Sequence, residues 1–205
     1  MELKELFGKL FRRRPPIRDL SELADFIDEH AAFVVQKGIY EYSRARAGHF
    51  SKVLFNEEDF VQAAERSRWR AYPLGLAMVG EIVEGVLRPS GRTEQKATSR
   101  SFKALVLSVF DRYPVPARLG DDVWAAARDE LARRLDLVGL HPPKRAMDVP
   151  EQFAESYFAL MPIHGSLRGS DHPTLKNYLK ITLCNVHAEL TDRLDAEAIG
   201  EQLRA

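Results

Sequence analysis

The sequence predicts an all-α fold: a single-domain bundle of about seven to eight helices around one central, nearly all-apolar helix. Three observations lead there. Apolar residues recur at the i, i+3, i+4 spacing of a helical face in segment after segment. No pair of alternating strands joined by a hairpin turn is present. The segment Pro73–Leu87 is apolar around most of a helical circumference, with Leu74, Met78, Ile82 and Val86 on one stripe and Leu76, Val79, Val83 and Leu87 on another. Only Glu81 and Glu84 interrupt it. Its uncharged run is far shorter than the ~20 residues that cross a bilayer, so it reads as a core helix. Gly75, Gly80 and Gly85 each cost about 1 kcal/mol against alanine in a helix, which predicts close approach of neighbouring backbones there.

At 205 residues the chain can bury a sizeable core, and residues 17–205 read as one helical domain behind an amphipathic segment, 1–14. The formal net charge is zero, which argues against a nucleic-acid binder with a broad basic face. One cysteine, Cys184, excludes an internal disulfide and a cysteine-built metal site, and it suits a reducing compartment. No apolar leader with a small-residue cleavage site opens the chain. A cytoplasmic protein is therefore expected.

Within residues 1–14, Leu3, Leu6, Phe7, Leu10 and Phe11 form one helical stripe. Lys4 and Lys9 flank it, Arg12, Arg13 and Arg14 close it, and Pro15-Pro16 stops it. Such a helix suits an anionic membrane surface. It equally suits the protein's own core or a second copy of the chain. Ser21 is a candidate cap for a long helix, with Leu23, Phe26, Ile27, Ala31, Val34, Val35, Ile39 and Tyr40 inward, that runs to about Arg46 and ends at Gly48. Asn56 caps the next helix, which carries Phe60, Val61, Ala64 and Trp69 into Pro73, where a kink or a new start is expected.

The polar stretch 88–100 reads as an exposed connection. Phe102, Leu105, Val106, Val109, Phe110 and Tyr113 then give a helix. Asp121 or Asp122 opens another, with Trp124, Ala127, Leu131 and Leu135 inward. Asp148-Val-Pro-Glu151 has the form of a capping box before Phe153, Tyr157, Phe158 and Met161. A loop over 162–172 precedes a long helix opened by Pro173, and Ala196–Leu203 reads as a short, frayed terminal helix.

Motifs for zinc peptidases, di-iron bundles, phosphate-binding loops and serine hydrolases are absent, and no metal or cofactor is expected. Three constellations remain. His164, Ser166, Arg168, Ser170, Asp171 and His172 crowd one glycine-bearing loop, which would make the chain a small hydrolase if a base and an oxyanion hole converged there; the simpler account is a turn that starts a helix. Asp25, Asp28, Glu29 and His30 share one helix, and Asp25 with Glu29 could hold a cation, although a solvated face is the commoner meaning. Glu81 and Glu84, if buried, need partners, expected among Arg44, Arg46, Arg66, Arg68 and Arg70. The run Ser67–Tyr72 interleaves cations and aromatics, as an ordinary helix surface with Trp69 inward also does.

The segment order over roughly 38–190 resembles the ubiquinol–cytochrome c assembly chaperone family. The residues that carry the likeness are Ile39-Tyr40, Arg44-Ala-Arg46 and Phe50, then Trp124–Leu131 through Val138-Gly139, Pro143-Lys144-Arg145, and Asn185-Val186. An acidic-methionine pair before Leu131, a Gly-Arg after Phe158 and a histidine on the central helix, all part of that pattern, are missing. The resemblance implies a non-enzymatic chaperone beside the inner membrane that holds a new membrane subunit such as a b-type cytochrome. Leu3, Phe7, Leu10, Phe11 and Arg12–Arg14 are then the expected membrane contacts, and Arg44, Arg46, Lys144 and Arg145 the expected client contacts. The alternatives are the hydrolase loop and a dimeric helical interaction module.

Overall fold

The computed structural model describes residues 14–88, 92–162 and 171–205, without side chains for 92–94. These form an all-α, single-domain bundle, with one isolated parallel bridge, Ile17 to Leu194, among the described residues. Leu3, Phe7, Leu10, Phe11, Arg12 and Arg13 lie outside them, as do His164, Ser166, Arg168 and Ser170.

Helix α1, Leu20–Gln36, is capped by Asp19, whose carboxylate accepts the Glu22 N–H at 2.8 Å, so the cap falls two residues before Ser21. The predicted long helix is interrupted. A π turn, Lys37–Glu41, separates α1 from α2, Tyr42–Ala47, and Gly48 ends the rod at a φ of 54°, a conformation glycine adopts without strain. A short α3, Ser51–Leu54, leads to α4, Glu58–Leu87. Glu57, not Asn56, is the residue before α4, and the helix runs through Pro73 as one element. Proline removes one ladder bond, but every residue from Ala71 to Glu84 is buried, and that packing holds the two halves in line.

Helix α5 spans Arg92–Phe110 and α6 Asp121–Val138. The expected exposed connection over 88–100 is thus largely the first half of α5, where Thr98 is buried. Polar composition there disguised a helix whose inward face is short. No capping box forms at Asp148–Glu151: Asp148 binds Arg145, Glu151 binds Lys176 and Lys180, and Val149–Gln152 is a 3₁₀ turn before α7, Ala154–Ala159. Helix α8, His172–Arg193, starts one residue before the predicted Pro173, which lies in its first turn. Helix α9, Ala196–Arg204, is not frayed: Asp195 caps it and Ile199 and Leu203 are buried.

Helix α4 packs on α1, α5, α6, α8 and α9. Of its three glycines only Gly75 marks a close crossing, because a Cβ there would lie 2.8 Å from the Ala31 carbonyl of α1. At Gly80 and Gly85 the nearest atoms would sit at ordinary contact, 3.4 and 3.5 Å.

Glu81 and Glu84 of α4 are both buried, and neither uses the arginines expected. Glu84 pairs with Arg88 one turn on (2.5 Å), and Arg88 also donates to the carbonyls of Val138 (2.9 Å) and His141. Glu81 accepts from Gln152 (2.7 Å), and its other oxygen faces Lys144 Nζ at 2.7 Å, an ion pair outside hydrogen-bond angles. No described helix is long and apolar enough to cross a membrane.

Candidate functional site

A cleft of about 690 Å³ opens between α1, α4 and α8. That size lies within the roughly 300–1,000 Å³ of ligand sites. Helix α1 presents Ala32, Phe33 and Gln36, which lie off the stripe that Leu23, Phe26, Ile27, Ala31 and Val34 bury. Phe33 is 44% exposed although large and apolar. Trp69 and Tyr72 from α4 and Tyr113 after α5 form an aromatic wall, with ring centroids 5.3–6.1 Å apart in edge-on contacts. Each such pair contributes about 0.5–1.5 kcal/mol beyond area burial. Arg68 lies over Trp69 at 4.9 Å. Asn185, Val186 and Glu189 of α8 close the other side, and Arg14 stands at the rim.

Two polar networks frame the cleft. Behind the aromatic wall, Asp28 accepts the hydroxyls of Tyr72 (2.7 Å) and Tyr113 (2.9 Å), while Arg112 bridges Asp28 and Asp25. Asp25 and Glu29 therefore do not act as a cation-holding pair: Asp25 goes to Arg112 and Glu29 to Arg14. Among the described residues no group of three histidine, cysteine or acidic side chains is placed to hold a metal.

On the α8 side, buried His30 has Nδ1 2.8 Å from the Phe26 carbonyl and Nε2 3.3 Å from Glu189. Both contacts become hydrogen bonds only when both ring nitrogens carry hydrogen. Burial opposes the charge on Glu189, but Arg193, His30 and Arg14 outweigh it and hold its carboxyl below the usual range. The polar atoms facing the cleft are thus largely bonded to one another, and what the site offers is aromatic and apolar surface.

All six tyrosines titrate above the ordinary phenol range, burial being the foremost cause in each and Asp28 adding to it at Tyr72 and Tyr113. A group raised in the folded state stabilises below its unfolded value of about 10 and loses that stabilisation as pH rises beyond it. The melting temperature should hold level through mildly alkaline pH and fall above about 10. A temperature unchanged across the unfolded chain's phenol titration would refute this linkage.

The client-contact candidates are each engaged within the chain. Arg46 pairs with buried Asp171 (2.7 Å), Arg145 with Asp148 (2.6 Å) and Lys144 with Glu81, while Arg44 lies over Phe55 at 5.4 Å. None of the four lines this cleft. Of the 164–172 loop, Asp171 and His172 are described, and both serve the start of α8. Sequence reading missed Phe33 and Glu189. The first had a signal, a large aromatic off the buried stripe; the second lies 159 residues from its partner His30 and had none.

The class defined by fold and site is an all-α bundle with an aromatic-walled cleft. No protein-family model matches the chain, and no curated protein or solved structure is significantly similar to it.

Proposed function

We propose that the protein is a non-enzymatic binding protein, an assembly chaperone peripherally associated with the cytoplasmic face of the inner membrane. Its cleft would hold an apolar stretch of a protein client, a newly made membrane subunit such as a b-type cytochrome. The observation that supports this reading is the open aromatic cleft with exposed Phe33 beside Trp69, since contiguous exposed apolar surface marks interaction sites. The resemblance carried by residues 38–190 and the amphipathic stripe of 1–14 favour the same role. Client contact would extend to Arg44, Arg46, Lys144 and Arg145; Arg145 is exposed, and Leu140 (78% exposed) and Met147 lie near it in the chain.

The test is titration of the full chain with a peptide spanning an apolar segment of a b-type cytochrome, read by Trp69 fluorescence. Phe33→Asp should weaken binding about tenfold or more with an unchanged helical spectrum. No binding by the parent chain, or equal binding by the variant, rejects the client reading. Salt-sensitive co-sedimentation with anionic vesicles tests the membrane half, and Phe7→Asp with Phe11→Asp should abolish it. Vesicle binding that survives this double substitution rejects the stripe as the anchor.

A further inference from the structure

We infer that the groove between α5 and α6 binds an anionic phospholipid, its phosphate held by Lys96 and Arg100 and an acyl chain laid along the apolar floor beyond them. The inference rests on the membrane half of the proposed function and names the lipid class and the residues that meet it.

The groove measures about 1080 Å³ and lies between two antiparallel helices. Lys103 of α5 reaches Asp136 of α6 (2.6 Å), and Gln95, two turns earlier in α5, donates to the Gly139 carbonyl just past α6 (2.8 Å). Helix α5 lines the groove with Lys96, Arg100 and Lys103, whose i, i+4, i+7 spacing puts them on one face. Of these, Lys103 has Asp136 as its counter-charge. Lys96 and Arg100 are exposed, and neither forms an ion pair with a described carboxylate. Arg88, which also lines the groove, is committed to Glu84 and two carbonyls. The fold thus leaves two uncompensated cations one turn apart, whose mutual repulsion an anion between them relieves.

Beyond Arg100 the lining turns apolar, with Ala104 and Leu107 from α5 and Leu135 from α6. From Lys96 to Leu107 the helix rises about 17 Å, so a charged end and an apolar end are well separated. Asp136 stands beside the apolar half and disfavours a second anionic group there. A ligand with one anionic head and one apolar tail satisfies both halves. A sugar phosphate leaves the floor uncovered, and an acidic peptide brings further carboxylates towards Asp136. Leu140 also lines the groove and is 78% exposed, the most exposed large apolar side chain among the described residues. Cations beside such a residue suit the headgroup layer of an anionic membrane.

The experiment titrates the full chain with dihexanoyl phosphatidylglycerol below its micelle concentration and follows the backbone amides by NMR. Saturable shifts are expected at Arg100, Leu107, Gly139 and Leu140. Dihexanoyl phosphatidylcholine and glycerol phosphate should each bind at least tenfold more weakly. Lys96→Glu with Arg100→Glu should cost about tenfold or more in lipid affinity, and Leu140→Asp should weaken the lipid but not glycerol phosphate. Absence of saturable shifts, or equal lipid affinity in the double charge variant, overturns the inference. So does glycerol phosphate binding as tightly as the lipid, which assigns the groove to a soluble phosphate compound, or displacement of the lipid by a lower concentration of a polyglutamate peptide, which assigns it to an acidic protein. A chain that takes up the short-chain lipid yet never sediments with vesicles rejects the peripheral-membrane reading and leaves the groove assigned. Sedimentation without the groove shifts does the reverse, so the two failures are distinguishable.

Discussion

Arg88→Met should destabilise the protein by about 3–5 kcal/mol, the cost of leaving a buried charge without its partner. Glu84 is buried and Arg88 is largely shielded, their side chains 6% and 10% exposed. The guanidinium meets the carboxylate through Nε and Nη2 and reaches the carbonyls of Val138 and His141 with its remaining donors. It therefore neutralises Glu84 and ties the end of α4 to the end of α6. Methionine restores length but no donor. Arg88→Lys should recover little of the loss, because an ammonium cannot span the carboxylate and two carbonyls in one fork. Replacing both members, Glu84→Leu with Arg88→Met, should recover most of it, since an apolar pair needs no solvation. Urea unfolding of the four chains measures this. A cost below about 1 kcal/mol, the range of exposed pairs, would show that water solvates Glu84 and the pair is not buried in solution.

Tyr157→Ala is expected to cost a similar amount, about 3–5 kcal/mol, as for other large core side chains cut to alanine. The ring is fully buried, and its hydroxyl donates to the carbonyls of Val34 (3.1 Å) and Val35 (3.3 Å) where α1 widens into the π turn. Gly38, inside that turn, leaves space for it: a Cβ there would lie 2.9 Å from the ring's Cε1. Tyr157→Phe isolates the polar part and should cost about 1–3 kcal/mol, the penalty for buried carbonyls left without a donor. Hydrogen exchange should show the extra opening concentrated in residues 34–42. Protection lost evenly over the whole bundle would mean that Tyr157 supports the core in general rather than the π turn.

The reach of sequence reading is clearest in α4. Two adjoining apolar stripes with no polar face wide enough for solvent made Leu74–Leu87 a core helix, because a helix so patterned has nowhere else to go. The same local logic found α6, α8 and the stop at Gly48. It failed where composition and fold disagree. The polar run 92–100 became the first half of α5, since a helix needs only a narrow inward face. At Asp148–Glu151, nearby cations outcompeted the backbone N–H groups for both carboxylates. Pro73 stayed inside one helix because the packing around it outweighs one missing ladder bond.

The candidate site was less legible. Tyr72 and Tyr113 meet on Asp28, and His30 meets Glu189, across separations of 44, 85 and 159 residues that no local pattern encodes. The arginines chosen for Glu81 and Glu84 were reasonable by charge, yet Glu81 meets Lys144 and Gln152, which the crossing of α4 with α6 and the turn after it bring within reach, and Glu84 meets Arg88, a local i+4 neighbour that the reading by charge passed over.

What the sequence by itself determined is the helical class and the buried face of most helices, because these follow from the spacing of apolar residues along one segment. What only the tertiary structure decided is which charges pair, where the π turn falls and that a cleft with exposed Phe33 opens beside Arg14. Those depend on how closely helices distant in the chain approach, as where Gly75 lets α4 sit against the Ala31 carbonyl, and such distances are fixed by packing between segments rather than by any segment alone.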